Sequence, residues 1–216
     1  MATATSTTTT TNLGILISGR GSNMEAILAA VKAGRIPSAR PRIVISNKAD
    51  AAGLKTAERY GVPTKVVLPE GAKGWDYDKK LVAALEGAGV TPQDGLVCLA
   101  GFMRIISPEF VRHFKLRVLN IHPALLPSFP GLHAQRQAVE YGVKVSGCTV
   151  HFVDEGVDSG PVILQRTVPV EDNDTEETLA ARILEQEHKA YPEAVRLFSE
   201  GRLRVEGRKV FIRSSS

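Results

Sequence analysis

A five-residue apolar run at 13–17 ends in Ser18-Gly19-Arg20-Gly21-Ser22-Asn23, and Met24, Ile27, Leu28 and Val31 follow at helical spacing. No other feature constrains the fold of this chain as strongly. A run that short, closed by glycines, reads as a strand, and the spacing behind it reads as one face of a helix. The same unit then recurs. A strand at 42–46 precedes a helix near 51–60, 63–68 reads as a third strand, and Tyr77, Leu81, Val82 and Leu85 mark another helix. Such alternation predicts an α/β fold with a mostly parallel, open, twisted sheet and helices on both faces. The run 96–100 is apolar without alternation, as expected of a strand buried on both faces near the sheet centre. Ser107 and Pro108 form a cap and first-turn pair for a helix through Phe114, and 117–120 reads as a further strand.

The later segments change character. Strands at 148–153 and 162–168 flank the turn Asp158-Ser159-Gly160-Pro161, which predicts an antiparallel or mixed edge. A final helix over 175–198 places Leu179, Ile183, Glu187 and Ala190 on one stripe, so Glu187 points where apolar neighbours point and needs a partner. Pro192 inside that span lacks a backbone donor and predicts a kink or restart just before it. With 216 residues, 43% of them hydrophobic, the chain suffices for one domain, expected over 13–216. Residues 1–12, mostly Thr, Ala and Ser without periodicity, read as a disordered leader. The net charge of +4 is scattered, which argues against a nucleic-acid tract and fits a small anionic ligand. Cys98 and Cys148 each lie in an apolar run, as buried free thiols do, so a reducing cytoplasm is expected. No apolar stretch approaches the roughly 20 residues of a membrane span, and no basic-then-apolar segment opens the chain.

Two constellations carry candidate chemistry. The loop 19–23 leads into a helix whose first amides lack partners, and its glycines let backbone approach an anion closely, so it reads as a phosphate cradle. An ordinary turn with Ser22 or Asn23 as a cap is the alternative. The spacing is not G-x-G-x-x-G, and Ile45-Ser46-Asn47-Lys48 has no acid to hold a ribose, which favours a monophosphate over a dinucleotide. The second constellation is Asn120-Ile121-His122-Pro123 together with Asp158, 36 positions beyond His122. Asn120 and His122 can face the same side of an extended segment, placing an amide donor and an imidazole beside one carbonyl. Asp158 would fix the imidazole and favour its charged form, or else simply start its turn. Such a set at a strand's carboxyl end points to acyl-type transfer. His133, His151 and His188 are weaker candidates, since no Cys or Glu stands at zinc-site spacing with them, and no metal is expected.

Ile17-Ser18-Gly19-Arg20-Gly21-Ser22-Asn23, Leu99-Ala100-Gly101-Phe102-Met103-Arg104-Ile105, Asn120-Ile121-His122-Pro123 and Asp158-Ser159-Gly160-Pro161 together closely resemble the folate-dependent phosphoribosylglycinamide formyltransferases of purine synthesis, over about residues 13–200. The resemblance implies the formyltransferase-type sheet and transfer of a formyl group from 10-formyltetrahydrofolate to the amine of glycinamide ribonucleotide. It implies small-molecule partners only, without nucleic acid or membrane, and leaves a homodimer open. Gly21, Ser22 and Asn23 would hold the substrate phosphate, with Ile121 and Pro123 beside the substrate and Glu187 at its glycinamide end. Met103, Arg104, Ile105 and Ile106 would line the pterin pocket. Asn120 would bind the formyl oxygen, and His122, supported by Asp158, would donate a proton or stabilise the oxyanion. The family often has a basic residue three positions before the aromatic at Tyr77. Here Gly74 stands there, with Lys73 as its substitute for the folate tail. Methionyl-tRNA formyltransferases are similar in the catalytic set but would require a further carboxyl-terminal domain. Formyltetrahydrofolate hydrolases would require a preceding regulatory one.

Overall fold

The computed structural model describes residues 10–214. Its first unit is β1 (Thr11–Ile17), the glycine turn and α1 (Ser22–Lys32). After it come β2 (Ala39–Ser46), α2 (Ala52–Arg59), β3 (Thr64–Val66), α3 (Trp75–Gly87), β4 (Gly95–Leu99), α4 (Pro108–His113) and β5 (Val118–His122). The second half holds α5 (Ala134–Tyr141), β6 (Val145–Phe152), β7 (Val162–Pro169), α6 (Glu176–Ser199), β8 (Leu203–Glu206) and β9 (Lys209–Ile212). Seven strands form one sheet in the order β3-β2-β1-β4-β5-β6-β7, parallel through β5 and antiparallel at β6 and β7, while β8 and β9 pair as a separate hairpin.

Side-chain alternation splits the interior into two cores, one on each sheet face. Leu13, Ile15, Ile17, Leu96, Cys98, Leu119 and Ile121 point to one face and pack with residues of α1 and α6. Leu16, Val97, Leu99 and Val118 point to the other and pack with α3 and α4. Every residue of β4 is buried, as a central strand covered on both faces requires. Cys98 and Cys148 are free and buried, and burial pushes each thiol up to about 12, which favours the protonated thiol.

The topology fixes one edge of the sheet as the place where loops converge. Strand order reverses at β1, whose neighbours are β2 on one side and β4 on the other, and that reversal opens a crevice at the carboxyl ends. Register levels Leu16 with Leu99 and Leu99 with Asn120, so the segments after Ile17, Leu99 and Asn120 share this edge. The Tyr191 hydroxyl of α6 lies 3.0 Å from the Leu99 carbonyl and 2.9 Å from that of Leu119, fixing the helix against the same strands. Among the described residues no helix is long and apolar enough to cross a membrane.

Several local expectations are corrected. Thr11 and Asn12 belong to β1 and not to a leader, because their amides bond Ser38 O at 2.8 Å and Asp94 O at 3.0 Å. Of the remaining leader residues, Thr10 is exposed and 1–9 lie outside the described residues. Pro192 does not break α6. Ile183, Ala190, Tyr191, Ala194 and Val195 are all fully buried on either side of it, so packing on the sheet outweighs the lost donor. The strand read at 117–120 extends to His122. Helix α5 and the β8–β9 hairpin had no reading in the sequence: α5 is short and largely polar on its surface, and the hairpin buries little.

Candidate active site

The turn after β1 is built to leave amides open. Gly21 caps α1 in the left-handed conformation, φ 70°, and no side chain caps the helix, which sets aside the reading of Ser22 or Asn23 as a cap. Glu25 N bonds Gly21 O at 2.9 Å, whereas helix geometry gives the amides of Ser22, Asn23 and Met24 no upstream carbonyl. The turn is held from behind by Gly53 N, which donates to Gly19 O at 3.0 Å. A Cβ at Gly53 would stand 2.6 Å from Ile17 Cδ1 and 3.0 Å from the carbonyl oxygens of Gly19 and Arg20, so the approach of α2 depends on that glycine.

Asn23 turns inward and not toward the turn's open side. Its Nδ2 donates to Glu187 Oε2 at 2.6 Å, joining the first turn of α1 to the middle of α6 across 164 residues. Both side chains are buried, and Asn23 Oδ1 has no partner. Burial favours the neutral form of Glu187 and raises its pKa, while the bond from Asn23 works in the opposite direction. The carboxylate expected to need a partner thus has one, and the pair keeps one acceptor, Asn23 Oδ1, unspent.

Asn120 and His122 stand two residues apart on β5 and share the side of the strand opposite Ile121. Asp158, from the turn between β6 and β7, reaches both. His122 Nδ1 is 3.3 Å from Asp158 Oδ2, and His122 Nε2 donates to Phe129 O at 2.7 Å, so the ring is held between a carboxylate and a backbone carbonyl. Asn120 Nδ2 is 3.5 Å from Asp158 Oδ1. Gly131 N donates to Asp158 Oδ2 at 2.8 Å and anchors the carboxylate from the loop that follows β5. That loop is itself pinned by Thr149, whose Oγ1 donates to Ala124 O at 2.7 Å and accepts from Leu126 N at 3.0 Å.

His151, read from the sequence as a weak candidate, sits inside this cluster. It lies directly across from Asn120 in the β5–β6 ladder, and its Nε2 is 3.3 Å from Asn120 Nδ2. Only strand register produces that contact, and no spacing in the sequence announces it. Burial lowers the pKa of His151, so its neutral form is favoured.

The segment after β4 divides. Met103 and Ile105 are 66% and 82% exposed, two apolar side chains standing at the same edge. The loop is tied down by Ser18, whose Oγ donates to Asn47 Oδ1 at 2.6 Å and accepts from Met103 N at 2.8 Å. Arg104 faces elsewhere, its guanidinium 4.4 Å from the Tyr77 ring centroid and donating to Ala72 O at 2.9 Å. Ile106 packs on the smaller core. Arg104 and Ile106 therefore hold the loop and do not line its open face. Ile121 likewise packs in the larger core, while Pro123 is half-buried where the chain leaves β5. Gly74 begins α3 with φ 51°, and the adjacent Lys73 is exposed. Among the described residues no group of three or more His, Cys, Asp or Glu is arranged to hold a metal ion.

Residues 11–195 match the family described as formyl transferase. The phosphoribosylglycinamide formyltransferase of Escherichia coli K12 is 45% identical over 195 residues, covering 90% of each chain. The trifunctional purine biosynthetic protein adenosine-3 of Drosophila pseudoobscura is 47% identical over 194 residues, 89% of this chain, which spans only 14% of that longer protein. Glycinamide ribonucleotide transformylase 1 from Symbiobacterium toebii superposes with a TM-score of 0.90 at 52% identity, over 95% of both chains.

Proposed function

Because the chain belongs to the formyl transferase family, we propose that it transfers a formyl group from 10-formyltetrahydrofolate to the amine of glycinamide ribonucleotide, a step of purine biosynthesis. The observation that carries this reading is the Asp158 carboxylate bridging His122 and Asn120 at the sheet edge that also bears the uncapped start of α1. The names of the Escherichia coli and Symbiobacterium relatives support the same acceptor.

The residues supply a route in which every atom has a destination. The neutral amine attacks the formyl carbon, forming the new C–N bond as the carbonyl electron pair moves onto oxygen. Donors from Asn120 and His122 stabilise that oxyanion. Collapse restores the carbonyl and breaks the bond to the folate nitrogen, which takes up a proton while the attacking nitrogen gives one up. His122, held between Asp158 and Phe129 O, is placed to carry the proton.

Binding follows from the rest of the edge. The amides of Ser22 and Asn23 behind Gly21 would take the phosphate, with α1's dipole adding to them. Glu187, held by Asn23 behind the start of α1, would stand at the glycinamide end of the substrate. Met103 and Ile105 offer apolar surface to the flat pterin. A cytoplasmic setting suits the two free thiols.

The test is an acceptor assay. Purified protein is incubated with 10-formyltetrahydrofolate and, separately, glycinamide ribonucleotide, charged initiator tRNA, or no acceptor. Formylglycinamide ribonucleotide and tetrahydrofolate should appear in equal amounts in the first reaction only, and His122→Ala should abolish them. Formate released without an acceptor, or formylated tRNA, would replace this reading with hydrolysis or tRNA modification.

A further inference from the structure

We infer that His151 is a positioning residue for formyl transfer, fixing the carboxamide of Asn120 so that its nitrogen faces inward. The inference rests on the proposed function for its catalytic consequence and on geometry for the contact.

His151 is 2% exposed. Its Nδ1 lies 2.9 Å from Phe152 O, an atom that can only accept, so Nδ1 carries the proton. In the neutral ring Nε2 is then a lone pair, and it faces Asn120 Nδ2 at 3.3 Å. An Asn side chain turned the other way would set its oxygen against that lone pair and against Asp158 Oδ1, so both neighbours reject the flipped amide. Only the nitrogen-inward orientation is satisfied.

The three distances nearly close an equilateral triangle: 3.3 Å from Asn120 Nδ2 to His151 Nε2, 3.5 Å to Asp158 Oδ1, and 3.7 Å between those acceptors. The angle at the amide nitrogen is thus about half that between its two N–H bonds. The amide nitrogen therefore faces both acceptors at once. Asn120 Oδ1 has no partner among the described residues and is not a buried orphan, so it is open to solvent. His151 thereby determines which atoms of Asn120 meet the reacting carbonyl.

The β6–β7 ladder shifts register beside the contact, Val150 pairing with Leu164 and His151 with Val162, so the extra residue, Ile163, lies on β7 and His151 keeps its place on β6 opposite Asn120.

Two substitutions separate orientation from mere packing. His151→Gln places a carboxamide oxygen near the position of Nε2 and keeps an acceptor for Asn120. His151→Asn keeps a donor for Phe152 O but offers Asn120 nothing. We expect His151→Asn to lower kcat ~10-fold with both KM values within ~2-fold, and His151→Gln to restore kcat to within ~3-fold of wild type at a similar melting temperature. Equal kcat in the two variants, or a loss confined to KM, would overturn the inference. Long-range ¹⁵N–¹H correlation on histidine-labelled wild-type protein should show His151 as the Nδ1–H tautomer, and an Nε2–H signal would overturn it equally. Absence of formyl transfer by the wild type would sink the proposed function, while the tautomer measurement would still decide the contact between His151 and Asn120.

Discussion

The glycine turn after β1 and the Asp158 turn between β6 and β7 each need a residue in the left-handed region, φ 70° at Gly21 and 49° at Asp158, and they meet the need in opposite ways. Gly21 has no Cβ and adopts the conformation without cost, so backbone bonds such as Gly53 N to Gly19 O and Glu25 N to Gly21 O hold the turn. Asp158 bears a cost of about 1–2 kcal/mol there and is held by its surroundings. Gly131 N bonds its carboxylate, Ser159 Oγ donates to Asp154 Oδ1 at 2.7 Å, and Arg208 from the β8–β9 hairpin donates to Ser159 O at 2.8 Å. A turn that offers only backbone amides can do without a side chain. A turn whose carboxylate joins His122 and Asn120 keeps the strained residue, and its neighbours hold it.

Asp158→Gly is the strongest challenge to this contrast. It relieves the strain and removes the carboxylate together, so kcat should fall ~10²-fold or more while the melting temperature moves little. Near-normal turnover with a raised melting temperature would make the second turn a backbone device like the first. Gly21→Ala should act on binding. Its Cβ would meet Met24 Cε at 3.2 Å and Gly53 Cα at 3.4 Å in a conformation costing ~1 kcal/mol, and we expect KM for the phosphorylated amine to rise ~10-fold with kcat nearly unchanged. Stability lost without any change in KM would reduce the glycine turn to a structural corner.

Glu187→Gln sharpens the picture on the glycine side. Burial raises the folded-state pKa of Glu187 above its ordinary 4.5, so its contribution is fully present below that value and is lost as pH rises through the raised one. The Gln variant should therefore melt higher than wild type at neutral pH, by ~1 kcal/mol, and the gap should close on acidification. A gap that widens in acid would mean that the Asn23 bond outweighs burial. Arg208→Ala should have the smallest effect, since the arginine is exposed: we expect ~0.5 kcal/mol of stability and at most a ~3-fold fall in kcat. A larger kcat effect would make the hairpin a principal support of the Asp158 turn.

Legibility in the sequence followed the range of the interactions. The first strand, glycine turn and helix, the doubly buried β4 and the antiparallel edge could be read because periodicity and turn residues act within a few positions. Pro192 does not restart the helix because its local cost is outweighed by distant packing. Among site residues, Asn120, His122 and Asp158 could be named, and the structure brings them together. Arg104, Ile106 and Ile121 turn their side chains to Tyr77 and the cores, a direction set by packing that no local stretch of sequence specifies. His151 was only a weak candidate in the sequence because its contact is with the residue opposite it on the neighbouring strand.

From the amino acids alone came the alternation of strands and helices, the turn that leaves amides unpaired, and the identity of the groups able to move a proton. Only the folded molecule decided which atoms face each other: Asn23 toward Glu187, Asn120 toward His151, Asp158 toward His122. The reason is physical. Backbone conformation is chosen by neighbours along the chain, whereas the partner of a buried polar atom is chosen by strand register and helix docking, which no local stretch of sequence contains.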